Sequence, residues 1–154
     1  MAVYYLDTSA LVKRYVAEAG TAWVTVLCTP EAGNTLNSAR ITCAELIAAL
    51  FRRVQADSLA LADAQTAAAR FRGDLLSQYE LVEITENVVN TAMRLAETHV
   101  LRGYDAVQLA AALELQAVRA SFALPPLTFV SADDRLNRVA SAEGLPIEDP
   151  NLHP

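Results

Sequence analysis

Val3-Tyr4-Tyr5-Leu6-Asp7-Thr8-Ser9 is the stretch that decides the fold of this chain. Four apolar residues, β-branched and aromatic, are too few for a core helix and read as a buried strand. The carboxylate and two hydroxyls that follow read as a helix start, with Thr8 or Ser9 expected to accept a backbone N–H as the cap. A strand running straight into a helix opens a βα unit.

The same alternation continues outward. The first helix is expected to run to about Tyr15, and Gly20-Thr21 opens a second that continues through about Leu27. Pro30 to Asn37 is turn-rich and reads as a loop, leaving Ala39-Arg40-Ile41 as a short second strand. Thr42 is expected to cap a helix to about Ala56, and Leu59–Leu76 shows helical periodicity. Leu81–Ile84 reads as a third strand, Thr85 as the cap of a helix from Glu86 to Val100, and Gly103 as its break. Tyr104–Arg119 carries Val107, Ala110, Ala111 and Leu115 along one helical face. After Pro125-Pro126, Leu127–Ser131 is a fourth strand, Asp133–Glu143 a helix ending at Gly144, and Pro146-Ile147-Glu148 an edge strand. Strands alternating with helices imply βαβ crossovers, an α/β fold and a mainly parallel sheet covered on both faces. With no repeat and no linker, one domain over 1–148 is expected, followed by a loose tail, 149–154.

Composition bounds the rest. The chain has 154 residues, 53% of them hydrophobic, enough for a real core. Eighteen acids against 12 bases give a net charge of −6, which argues against a general nucleic-acid binder, because phosphate attraction supplies most non-specific affinity. Yet the bases are all arginine except Lys13, and arginine suits bidentate phosphate contacts and buried ion pairs. Cys28 and Cys43 match no zinc spacing and read as small buried hydrophobes. No signal peptide and no run of roughly 18 apolar residues is present, so no membrane segment and a cytoplasmic location are expected.

Four acids stand apart. Asp7 and Asp133 follow apolar strands, and Glu45 and Asp105 lie near the starts of Ala/Leu-rich helices. In a parallel sheet the carboxyl ends of the strands form the ligand crevice. Carboxylates gathered there repel one another unless a cation sits between them, and hard divalent ions take oxygen ligands. The pattern points to metal-assisted chemistry on phosphate. Each acid also has a local reading: Asp7 as an N-cap, Glu45 in a Thr42-x-x-Glu45 capping box, and Asp105 as a first-turn acid favoured by the helix dipole.

Leu6-Asp7-Thr8-Ser9, Ala44-Glu45-Leu46, Gly103-Tyr104-Asp105-Ala106-Val107-Gln108-Leu109-Ala110 and Val130-Ser131-Ala132-Asp133-Asp134, in this order, resemble the PIN-domain family, specifically its VapC-type toxin ribonucleases. The resemblance runs from Val3 to about Ile147. It implies a three-layer α/β/α sandwich and Mg²⁺- or Mn²⁺-dependent endonucleolytic cleavage of RNA, leaving 5′-phosphate and 3′-hydroxyl ends. It also implies homodimerisation and inhibition by a cognate antitoxin protein. Asp7, Glu45, Asp105 and Asp133 match the family's four acids, with Asp7 and Asp105 as the direct metal ligands. Ser131 matches the hydroxyl of the Ser/Thr-x-Asp motif, and Ser9 the small polar residue that supports the site. The doubled Asp133-Asp134 leaves the fourth position ambiguous; spacing from Ser131 favours Asp133.

The remaining candidates have bland readings beside functional ones. Arg102, Lys13 and Arg14 could meet RNA or be ordinary helix-end and surface charges. His99 sits where a helix C-terminus favours a cation. Trp23, Tyr4 and Tyr5 read as core or interface residues, with base stacking the alternative. Rival functions are a catalytically silent PIN-like module that binds RNA or protein, and a housekeeping nuclease without an antitoxin. A phosphoaspartate enzyme would want a second acid or a suitable lysine near Asp7, where Thr8-Ser9 stand instead. A dinucleotide-binding domain fails for want of Gly-x-Gly-x-x-Gly after the first strand.

Overall fold

Strand β1 (Val3–Leu6) lies at the centre of the sheet, as its wholly apolar sequence requires. A computed structural model describes residues 1–153. Chain order continues with α1 (Thr8–Leu11), a 3-10 turn at Val12–Arg14, α2 (Thr21–Leu27), β2 (Thr35–Ala39), α3 (Thr42–Gln55) and α4 (Leu61–Leu75). Then come β3 (Glu80–Val82), α5 (Glu86–His99), α6 (Gly103–Ser121), β4 (Thr128–Val130), α7 (Asp134–Ala142) and β5 (Ile147–Glu148). All strand pairs are parallel, in the order β3-β2-β1-β4-β5. Tyr4 aligns with Leu36 on one side and Thr128 on the other.

The pleat sends neighbouring residues of β1 to opposite faces. Tyr5 enters a core with Leu95, Leu109 and Phe129, covered by α5, α6 and α7. Its ring stacks on Phe129, with centroids 5.7 Å apart and planes 12° from parallel. Leu6 enters the other core, with Leu11, Leu46 and Phe71 beneath α1 to α4. The result is the expected three-layer α/β/α sandwich. Each fully buried Leu or Phe contributes about 1.5–3 kcal/mol relative to exposure.

Three local expectations are corrected. The second strand is Thr35–Ala39, not Ala39–Ile41. Its polar residues are buried but satisfied: Asn37 Nδ2 donates to the Tyr4 carbonyl at 3.1 Å and Ser38 Oγ to the Leu6 carbonyl at 2.7 Å. The cap of α1 is Asp7, whose Oδ1 accepts from Ala10 N at 3.0 Å, rather than Thr8 or Ser9. Thr42 is already inside α3, and Ile41 stands at the N-cap without a side-chain bond.

The segment expected to be a loose tail is anchored as far as it is described. Pro150–Leu152 forms a 3-10 turn, and His153 stacks on Trp23 at 4.4 Å while bonding Glu148 at 2.9 Å. Asn151 Nδ2 donates to the Ala132 carbonyl at 3.3 Å. The docking needs Gly20, which has φ +82° and where a Cβ would fall 2.3 Å from the Pro150 carbonyl oxygen. Among the described residues no helix is long and apolar enough to cross a membrane. Cys28 and Cys43 are free thiols, buried and half-buried.

Candidate active site

The strand order reverses direction at β1, with β2 on one side and β4 on the other. In an open parallel sheet that switch point, at the carboxyl ends, is where a crevice opens. Asp7 follows β1 there, and Ser131 and Asp133 follow β4. Asp133 caps α7, accepting from Leu136 N at 3.0 Å. Glu45 and Asp105 stand in the first turns of α3 and α6. Three long helices therefore present their positive ends to the same place, which lowers the cost of collecting carboxylates.

All four predicted acids line one cavity of about 310 Å³, together with Ser9 and Gln108. Asp134 does not: its side chain is 80% exposed and pairs with Arg138 at 2.8 Å. Asp7 is the most constrained. Ser9 Oγ donates to its Oδ1 at 2.7 Å and Ser131 Oγ to its Oδ2 at 2.9 Å. Ser9 also receives the Ala132 N–H at 2.9 Å, and Ser131 that of Asp133 at 3.1 Å. The two serines thus tie the end of β1 to the end of β4.

Burial pushes the Asp7 carboxyl up from 3.8 to about 6. Its hydrogen bonds to Ser9, Ala10 N and Ser131 oppose the shift, and Asp105 adds to it. Glu45 is raised by burial and by Asp105, against hydrogen bonds from Gln108 and Thr8 and the nearby Arg52. Asp105 is raised by burial and by Asp133, against Arg102 and Arg135. Asp105 is the hub, coupled to each of the other three acids.

Sequence reasoning missed Gln108. It is buried in α6, one turn after Asp105. Tyr5 O–H donates to its Oε1 at 2.9 Å, which turns the amide nitrogen toward the site. Nε2 donates to Glu45 Oε1 at 2.8 Å and Thr42 Oγ1 at 2.7 Å, with Thr8 Oγ1 at 3.2 Å. Glu45 therefore bonds across to α6, and the capping-box reading is replaced by a contact to another helix. The available signal was one amide in an Ala/Leu helix at i+3 from an acid.

Other candidates lie elsewhere. Lys13 pairs with Glu18 at 3.2 Å, and Arg14 is buried against Tyr79 and Gln78. His99 pairs with Glu143 at 2.8 Å. Trp23 holds the C-terminal segment, Tyr4 is half-buried and Tyr5 serves core and Gln108. A groove of about 790 Å³ adjoins the acidic cavity and shares Glu45, Arg52, Asp105 and Asp133 with it; Arg102 lies on its wall.

The donor set suits a hard divalent cation, being all oxygen, with burial and then the neighbouring acids raising the carboxyls of Asp7, Glu45 and Asp105. Among the described residues no three His, Cys, Asp or Glu groups already close on one point. Such a site fits an ion that takes one or two carboxylates and completes its shell with water and substrate phosphate, as Mg²⁺ does.

The family model of the PIN domain matches residues 4–142. Two proteins of Mycobacterium tuberculosis, ribonuclease VapC45 and ribonuclease VapC49, are each 32% identical over 157 residues, covering 100% of this chain and 100% of the relative. Among solved structures, FitAcB from Neisseria gonorrhoeae superposes with a TM-score of 0.62 at 18% identity, covering 96% of this chain and 97% of the other. PAE2754 from Pyrobaculum aerophilum gives 0.59 at 23% identity, covering 96% and 92%. At such identities these structures show the fold.

Proposed function

The chain belongs to the PIN domain family, and from that premise we propose that it is a divalent-metal-dependent endoribonuclease, the toxin of a toxin–antitoxin pair. The observation that carries the reading is the convergence of Asp7, Glu45, Asp105 and Asp133 in one cavity at the switch point of the sheet. The 32% identical relatives are ribonucleases by name, over their full length.

Asp7 and Asp105 are the residues that would hold Mg²⁺ or Mn²⁺. A bound ion of this kind supplies charge relief at the phosphate and an attacking water of lowered pKa. Ser9 and Ser131 fix both Asp7 oxygens, so that carboxylate does not rotate away. Gln108 holds Glu45 through Oε1, on the wall of the cavity, where its carboxylate can orient the attacking water. Asp133, held by its own cap bond, faces the same space. Hydrolysis adds water across the bond between phosphorus and the 3′ oxygen, leaving a 5′-phosphate and a 3′-hydroxyl. Partners carried over from the family resemblance are a cognate antitoxin and a second copy of the chain.

The test is cleavage of cellular RNA by the purified protein. Mg²⁺ or Mn²⁺ should support cutting, a chelator should stop it, and Asp7→Asn and Asp105→Asn should be folded but inactive. Full activity of either variant, or of the chelated protein, would remove the proposal.

A further inference from the structure

The groove beside the acids has a chemistry of its own. It runs between the first turns of α3 and α6. On the α3 side Ala44, Ala48 and Arg52 recur every four residues, one stripe along the helix. Small side chains there leave the groove wide. On the α6 side stand Arg102, Tyr104 and Val107. Tyr104 is 61% exposed, although it adjoins the half-buried hub of the site at Asp105.

The groove also carries two arginines. In this acidic protein Lys13, Arg14, Arg40, Arg53, Arg94 and Arg138 are paired with carboxylates. Arg52, Arg70, Arg72, Arg102, Arg119 and Arg135 have no ion pair among the described residues, and of these Arg52 and Arg102 line this groove, beside the acids. An apolar floor, an exposed ring and two free guanidiniums match a nucleotide strand: ring faces on the floor and the tyrosine, phosphates on the arginines.

We infer that Tyr104 is a stacking platform for an unpaired nucleobase next to the cut phosphate, with Arg52 and Arg102 holding the flanking phosphates. The inference rests on the nuclease reading and adds to it the residues that hold the strand beside the cut. Paired bases keep both faces stacked on their neighbours and offer none to the ring. Ring identity matters and the hydroxyl does not, because Tyr104 makes no side-chain hydrogen bond in the described residues.

The probe is a short single-stranded RNA carrying 2-aminopurine, whose fluorescence is quenched by stacking. Bound to the Asp7→Asn protein it should be quenched. Adding Tyr104→Ala should abolish the quench and weaken binding by about fivefold to a hundredfold, whereas Tyr104→Phe should keep both. Annealed to its complement the probe is already quenched by its own neighbours, and adding the protein should change its fluorescence no further. Ala48→Phe, which fills the groove between α3 and α6, should weaken binding similarly. In otherwise unaltered protein Tyr104→Ala should raise KM by the same factor with the melting temperature unmoved. If the unaltered protein cuts RNA and Tyr104→Ala cuts it with the same KM, the stacking site is overturned and the nuclease reading stands. If RNA binding is unchanged and only a co-expressed protein partner is lost, the groove belongs to that partner and the inference fails. If the unaltered protein neither cuts RNA nor quenches the probe, both readings fall.

Discussion

Gln108 in α6 and Glu45 in α3 are 63 residues apart in sequence and joined by a 2.8 Å N–H···O bond. Because Tyr5 O–H occupies the amide oxygen, the nitrogen has one orientation in which all its partners are acceptors. Gln108 is therefore a positioning residue for Glu45. Gln108→Leu should lower kcat about tenfold or more and also cost roughly 1–3 kcal/mol of stability, since the buried Tyr5 hydroxyl loses its acceptor. A double-mutant cycle separates the two effects. In a Glu45→Gln background, Gln108→Leu should still lower the melting temperature but reduce kcat little further. Multiplicative losses in kcat would show that Gln108 acts by another route. Tyr5→Phe, which keeps the ring in the core, should give a smaller loss of the same kind.

Asp7 is a stability liability in the metal-free protein. Its folded carboxyl is raised from 3.8 to about 6, so the folded state binds the proton more tightly than the unfolded state. Its favourable contribution is complete below about pH 4 and is lost as pH rises through about 6, on the order of 3 kcal/mol. Asn does not titrate. In chelator, Asp7→Asn should melt above the parent at pH 8 and show no such gain at pH 4. An equal offset at both pH values would contradict the burial argument.

Divalent metal competes with that proton. At limiting Mg²⁺, cleavage should rise with pH through about 6 as Asp7 ionises. More Mg²⁺ should move the midpoint to lower pH, and saturating metal should raise the melting temperature at pH 8. At a hundredfold excess over Kd the linkage is about 2.7 kcal/mol. A midpoint indifferent to metal concentration would place the titrating group elsewhere.

Much of this site is legible in sequence because each acid marks a boundary. Asp7 and Asp133 close apolar runs, and Glu45 and Asp105 open helices, so topology alone brings them to one sheet edge. Strand β2 is hidden because Asn37 and Ser38 look like loop residues until β1 supplies the carbonyls that satisfy them. Gln108 is hidden because its partners come from β1, α1 and α3. Arg52 and Tyr104 carry no local signal at all; only the packing of α3 beside α6 puts them on one groove. The anchoring of the last residues depends likewise on a distant glycine.

That glycine can be tested directly. A methyl group at position 20 would overlap the Pro150 carbonyl and strain a φ of +82°. Gly20→Ala should cost on the order of 1–3 kcal/mol, undo the Trp23–His153 stack and red-shift the emission of Trp23, the sole tryptophan, as water reaches it. Asn151 bonds the Ala132 carbonyl beside Asp133, so a drop in kcat should accompany the change in Trp23 emission. Emission and melting temperature identical to the parent would mean that the segment does not dock on α2.

Asp133 and Asp134 are adjacent and face different surroundings. Asp133 lines the acidic cavity, caps α7 and raises the carboxyl of Asp105. Asp134 is exposed, and its i,i+4 pair with Arg138 is worth only about 0.3–0.5 kcal/mol. Asp134→Asn should leave kcat and KM at parental values. Asp133→Asn retains an oxygen that accepts from Leu136 N, so α7 should persist while kcat falls by about a hundredfold or more. The comparison isolates charge from capping, because Asp133→Ala removes both and should additionally cost about 1 kcal/mol of stability. If the Asp134 variant is the inactive one, the spacing from Ser131 has been assigned to the wrong carboxylate.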